Sequence, residues 1–235
     1  PFYISFLFTL VFMTLFGILV QLIVLRPLIG EPIISIIMVT IGLSIFFQAL
    51  MKWMFGVFAQ PFPQIFNNSS IDILGLQVQT VYILSGLISL LIMIIFAILF
   101  KISKLGLAMR ATAFDQQAAQ SMGVSIKQVF SAAWGISALV SSVAGVVFGV
   151  VNGVSSGISI IGIKVFPAVI LGGLDSVLGA VLGGIVIGLI ENLAQYIDVQ
   201  LLNIGNLYTI APFYVLIIIL MVKPYGFFGT EEIER

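Results

Sequence analysis

From Phe2 to Leu25 the chain carries no charged side chain, and that first run constrains the fold more than any other feature. A bilayer core about 30 Å thick is crossed by about 20 helical residues. Lipid offers no partner to a backbone N–H or C=O, so a run of this length must fold as helix. Arg26 and Pro27 end it. The pattern then recurs. Ile33 to Met51 is closed by Lys52 and Trp53, side chains suited to a membrane interface, and Thr80 to Phe100 gives a further span. Ser125 with Gln128 forms a capping-box pattern that launches a span to about Val151. Val177 to Ile197 and Leu207 to Val222 complete the set. An all-α, polytopic helical transmembrane protein with about six full spans is expected.

One apolar region breaks the pattern. Ser155 to Leu174 carries Gly157, Gly162, Lys164, Pro167, Gly172 and Gly173, so a broken or re-entrant helix is expected, running from Lys164 to Leu171 and ended by the glycine pair. Gly145, Gly149, Gly153 and Gly157 recur every fourth residue and predict a strip of bare backbone for close helix packing or, alternatively, for lining a pathway. Gln60 to Gln79, with Pro61 and Pro63, reads as an irregular surface loop; Asn67 and Asn68 each begin an Asn-x-Ser pattern.

Composition narrows the chemistry. The chain is 61% hydrophobic and 8% charged, far from a soluble domain, and its zero formal charge leaves no basic footprint for nucleic acid. With neither Cys nor His, thiol nucleophiles and imidazole bases are excluded. Gly172-Gly173-Leu174-Asp175 is a poor match to a membrane aspartyl protease, because the acid is displaced and no second carboxylate accompanies it. Ser155 and Ser156 have no imidazole base. No phosphate-binding Gly-x-x-x-x-Gly-Lys-Ser/Thr loop occurs, so the chain is expected to bind no cofactor and to take any energy from elsewhere. Glu191 is the acid of most interest, either a functional group within a span or a solvated residue at the outer interface. The chain starts at Pro1 within an apolar run and is read as a piece of something longer.

Lys101 to Gln128 is the long polar passage of the second half. Its charges place it in water between two spans. Thr112 with Asp115 predicts a capping box, Gly123 a stop, and Phe114, Ala118 and Met122 an apolar stripe between them. A helix this short is marginal alone, so the stripe is expected to dock on a soluble partner, on its own membrane domain or among lipid headgroups. If Arg26, this loop, Asp175 and the C-terminal tail share one side, that side collects most of the basic residues and is cytoplasmic, with Lys52 and Lys164 on the other.

Gln117-Ala118-Ala119 followed by Gly123 resembles the Glu-Ala-Ala-x-x-x-Gly loop of ABC importer permeases, with Gln for the usual Glu. Around it stand Leu25-Arg26-Pro27-Leu28, Thr40-Ile41-Gly42-Leu43-Ser44, Ala108-Met109-Arg110-Ala111-Thr112, Gly162-Ile163-Lys164-Val165-Phe166-Pro167-Ala168, and Lys223-Pro224-Tyr225-Gly226-Phe227-Phe228-Gly229. In this order they resemble the LivH-type permeases of branched-chain amino acid ABC transporters across nearly the whole chain. That family usually begins with one or two more spans and an Asn-Phe-Ala-His-Gly element, neither of which is present in the sequence.

The resemblance implies a single transmembrane permease domain over residues 1–235, with 101–128 as a cytoplasmic coupling loop. Implied partners are a second permease subunit, two cytoplasmic ATPase subunits, an extracytoplasmic substrate-binding protein and the lipid bilayer of a bacterial or archaeal plasma membrane. Phe114, Ala118 and Met122 would press into the ATPase, Arg110 and Asp115 would contact its rim, Gln117 and Ala119 belong to the loop motif, and Gly123 would turn the chain back. Pro167, Gly172, Gly173 and Glu191 are candidates for the translocation path. Related permeases for urea, amides, sugars or nucleosides remain alternatives. So does a secondary transporter, which calls for inverted repeats and a midplane charge.

Overall fold

The computed structural model describes residues 2–63, 70–73, 75–155, 157–173 and 176–229. Asn67, Asn68, Ser156, Leu174, Asp175 and the acidic tail lie outside the described residues. The chain divides into two compact units, Pro1–Ile158 and Ser159–Arg235.

In the first unit, the opening apolar run forms α1 (Phe2–Val20), continued by a π-helical turn over Gln21–Leu25 and a 3-10 turn over Arg26–Leu28. Helix α2 spans Ile33–Phe55, so Lys52 and Trp53 lie in its last turn rather than beyond it. The cation there faces the negative end of the helix dipole, which favours extending the helix past the expected boundary. Helix α3 (Thr80–Ile102) is followed by α4 (Lys104–Phe114), α5 (Gln116–Ser121) and α6 (Ile126–Asn152). Ser125 is the N-cap of α6, but its side chain makes no capping bond; the backbone carbonyl of Ser125 accepts from the N–H of Gln128 and Val129 instead. The expected capping box is therefore absent while the helix start is right.

Helices α1 and α6 pack closely, and the contact runs through small residues. A Cβ on Gly17 would lie 2.5 Å from Ala138 Cβ and 2.7 Å from the Trp134 carbonyl oxygen, and one on Gly135 would lie 3.0 Å from Ile18 Cγ1. The four-glycine strip is not realised as expected: α6 ends at Asn152, Gly153 is its C-cap at φ +75°, and Gly157 lies outside the helix. Gly149 packs on Phe62, whereas Gly145 faces open space. Helix α2 is joined to α1 by an edge-on contact of Phe16 with Phe47, centroids 5.1 Å apart. No residue of α3 is buried, so its surface suits lipid.

The expected irregular loop after α2 contains structure. Strands β1 (Ser70–Ile73) and β2 (Leu76–Gln79) pair antiparallel with Ser70 opposite Gln79 and Ile73 opposite Leu76. Ser-Ile-Asp-Ile and Leu-Gln-Val-Gln alternate in polarity, the strand period, and Gly75 supplies a positive φ at the turn. Gln60 and Val154 exchange two backbone bonds of 2.8 and 2.9 Å, tying the exit of α2 to the end of α6.

The second unit holds most of α7 (Ile158–Gly172), then α8 (Val177–Ile197) and α9 (Leu207–Val222). Helix α7 starts six residues before the expected Lys164, because Pro167 is accommodated inside the helix instead of near its start. At 15 residues it rises about 22 Å, short of a bilayer core. Five helices among the described residues are long and apolar enough to cross a membrane, and α7 and the 16-residue α9 are shorter apolar helices. This is a polytopic helical membrane protein.

Helices α7 and α8 meet backbone to backbone. Added Cβ atoms on Gly172, Gly179 and Gly183 would overlap the Gly179 carbonyl group, the Gly172 carbonyl oxygen and the Ala168 carbonyl oxygen respectively. Leu171 is buried with Ala168 and Ile187 in a cluster extended by Ile190, Val215, Leu216 and Ile219. The loop after α9 folds back onto the end of α7: Phe227 N–H donates to Leu171 O at 2.9 Å and Phe228 N–H to Gly172 O at 3.1 Å. Orphan carbonyls of α7 are satisfied this way. Asp198, in a π-helical extension of α8 over Asp198–Leu202, accepts from the N–H of Ile204, Gly205 and Leu207 at 2.9, 3.0 and 3.1 Å.

Candidate functional site

Two constellations stand out, one in each unit. The first is the polar passage between α3 and α6. Ser103 closes α3 and caps α4, its hydroxyl accepting from Gly106 N–H at 2.9 Å. Arg110 reaches back from α4 to donate to the carbonyls of Phe100 and Lys101, with its guanidinium over the Phe100 ring at 5.3 Å. A cation on the last carbonyls of a helix is favoured by the dipole, so Arg110 fixes the angle at which the loop leaves the membrane helix.

The capping box assigned to Thr112 and Asp115 is not formed. Thr112 is buried inside α4 and its hydroxyl donates to Ala108 O at 2.8 Å. Asp115 itself is extended, at φ −152°, ending α4 and capping α5; its Oδ1 accepts from Gln117 N–H at 2.8 Å and Ala118 N–H at 2.9 Å. An aspartate is a better N-cap than a threonine, and a capping bond of this kind contributes about 1 kcal/mol. At the other end Met122 is the C-cap, Gly123 takes φ +87°, and the N–H groups of Gly123 and Val124 donate to Gln120 O and Ala119 O. That pattern is a Schellman close, so Gly123 ends the helix as expected.

These bonds hold a six-residue helix that could not persist alone. Ala119 is buried against the rest of its unit, while Gln117 and Ala118 face out. Phe114 is 95% exposed and Met122 86% exposed. The stripe thus stands free of its own domain, split by the bend at Asp115: Phe114 ends α4, and Ala118 and Met122 follow on α5. Beside it lies a cavity of about 230 Å³ lined in part by Gln21, Glu31, Gln116 and Trp134. Gln21 accepts from Ser131 Oγ at 2.6 Å through Oε1, and its buried Nε2 finds no partner among the described residues.

The second constellation lies in the other unit. Lys164 Nζ on α7 is 3.2 Å from Glu191 Oε1 on α8, and 5.0 Å from the centre of the Tyr208 ring on α9. Both charged side chains are mostly covered, at 15% and 24% exposed. A lone cation at the centre of a membrane helix costs about 2.5–3.5 kcal/mol on insertion scales, and an opposite charge with an aromatic face offsets that cost. Helical spacing alone does not reveal that Lys164 and Glu191, on different helices, meet. Pro167 is fully buried on α7, three residues from Lys164, and Gly172 and Gly173 lie at the packed α7 end, Gly173 at φ +101° beside Gly229. Gly172 adjoins the backbone of α8 and Gly173 that of the loop after α9, rather than the charged pair.

Residues 1–222 match the family described as "Branched-chain amino acid transport system / permease component". The chain belongs to this family. The permease is 27% identical to the branched-chain amino acid permease protein LivH of Salmonella typhimurium over 238 residues, which cover 98% of this chain and 75% of that protein. LivH of Escherichia coli K12 matches to the same extent. The corresponding protein BraD of Pseudomonas aeruginosa is 28% identical over 229 residues, 94% of this chain and 72% of BraD. No solved structure gives a significant match. This is a multi-pass inner-membrane permease component of a branched-chain amino acid ABC transport system, a transporter and not an enzyme. It is one component of a multi-subunit system.

Proposed function

We propose that residues 101–128 form the cytoplasmic element through which ATPase subunits drive this permease, within a complex of two permease subunits, two ATPases and an extracytoplasmic binding protein. The observation that carries this reading is the near-complete exposure of Phe114 and Met122, which flank α5, a helix anchored at both ends by its own chain. Apolar side chains on a backbone fixed by hydrogen bonds fit a protein groove, because little backbone freedom is lost on docking. Asp115 at the bend and Arg110 on α4 are both exposed and supply the polar contacts of that surface. Movement of the docked loop reaches α3 through the Arg110 bonds and α6 through the short connection after Gly123. Closing of the ATPase pair then tilts membrane helices as rigid bodies and alternates access to the path, for which Pro167, Gly172, Gly173 and Glu191 are the candidate residues.

Deletion of Ala113 to Met122 tests the assignment. The spans are expected to insert normally and the permease to lose co-purification with its ATPase. Recovery of the ATPase at the normal ratio by the deleted protein would overturn it.

A further inference from the structure

We infer that Lys164, Glu191 and Tyr208 form a binding site for a zwitterionic α-amino acid within the membrane, the pair parting so that Lys164 takes the carboxylate and Glu191 the ammonium. The inference rests on the transport reading and names the residues that meet the substrate. Glu191 lies about 21 Å along α8 from its start at Val177 and about 9 Å short of its end at Ile197, within the apolar span. Lys164 and Glu191 touch through one contact of 3.2 Å, and each keeps part of its side chain accessible. A sealed structural bridge has no use for that access.

Charge balance selects the ligand. The pair is neutral overall, so a neutral zwitterion exchanges one ion pair for two without stranding a charge in a low-dielectric site. A ligand with a single charge leaves one member unpaired. Sugars, ureas and nucleosides bring no charge to satisfy either. The surroundings favour the cationic end as well. Pro167 has no N–H to give the carbonyl of Ile163, next to Lys164, and Pro212 has none for the carbonyl of Tyr208, whose ring already faces a cation. Two helix carbonyls are thereby released from the ladder at the residues that frame the pair, and a ring face is ready for an ammonium. Lys164 is one turn from Ala168, and Glu191 one turn from Ile187, both members of the buried apolar cluster. The charged end of an aliphatic amino acid would sit here with its side chain directed along apolar helix surface.

The test is equilibrium binding of L-leucine to the complete transporter in nanodiscs, without the binding protein, for wild type, Lys164→Met, Glu191→Gln, Tyr208→Leu and the exchanged pair Lys164→Glu/Glu191→Lys. Each neutralising substitution is expected to weaken leucine binding at least about tenfold, with a smaller loss for Tyr208→Leu, which leaves the ion pair in place. The exchanged pair should stay weak, since the Tyr208 ring would then face a carboxylate. In wild type, 3-methylbutylamine and 4-methylpentanoate, each with one of the two charges, should compete poorly. Wild-type affinity in the exchanged pair would identify a structural bolt and overturn the site, as would equal competition by either analogue. ATPase recovery is measured in the same preparations, so a failed coupling assignment shows there and a failed substrate site shows only in leucine affinity.

Discussion

Replacing Phe114 and Met122 together by Ala isolates the proposed coupling surface without touching what folds it. The N-terminal bonds of α5 come from Asp115, its C-terminal close from Gly123 and Val124, and its inward contact from Ala119. Both targets point outward, at 95% and 86% exposed, so nearly the whole of each side chain is available to a partner. Full burial of such a side chain contributes about 1.5–3 kcal/mol, or about 3–6 kcal/mol for the two. At about 1.4 kcal/mol per decade, the double substitution should loosen ATPase binding by about 100-fold or more. Tagged permease co-expressed with its ATPase, solubilised gently and washed, should then recover little ATPase, while membrane insertion and thermal stability match wild type. Gln120→Ala, on the same helix, serves as the comparison. Wild-type ATPase recovery by Phe114→Ala/Met122→Ala would refute the reasoning, because no side chain at these positions could then be buried by the partner.

Two further substitutions probe the scaffold. Gly17→Ala should lower the thermal midpoint of the purified permease by an overpacking cost of about 1–3 kcal/mol, since the new Cβ would lie 2.5 Å from Ala138 Cβ, whereas Gly145→Ala should leave the midpoint unchanged or slightly raised, as nothing lies within 4 Å. Asp198→Ala strands three N–H groups and should destabilise by about 1–3 kcal/mol or more; Asp198→Asn keeps an acceptor for Ile204 and Gly205, loses the bond to Leu207, and should fall between the two in a thermal melt.

Helix positions were legible because hydropathy and length are local properties. Thr80, Val177 and Leu207 start helices where the sequence places them, and Gly123 turns the chain where expected. The misreadings came from competition between neighbours. Thr112 and Asp115 can both cap a helix; the helix entering from Ser103 carries Thr112 inside it, so Asp115 is left to do so. Pro167 places the helix start near Lys164 in the sequence, yet α7 begins at Ile158 and absorbs the proline further along. The hairpin after α2 is hard to read from sequence because its strands are short and lie among turn-forming residues. The pairing of Lys164 with Glu191 was out of reach for a different reason. Each residue is costly in lipid by itself, but only the crossing of α7 and α8 shows that each resolves the cost of the other.

That crossing also limits how the permease can vary. At Gly172, Gly179 and Gly183 the two helices touch through main-chain atoms. A side-chain interface can be adjusted in either direction, with a methyl removed here and added there. Glycine has nothing to remove, so every substitution at these positions adds atoms to a space already occupied by peptide groups. The separation of α7 and α8 is therefore set by the polypeptide itself, and variation in how the charged pair is presented has to enter through the residues around the crossing.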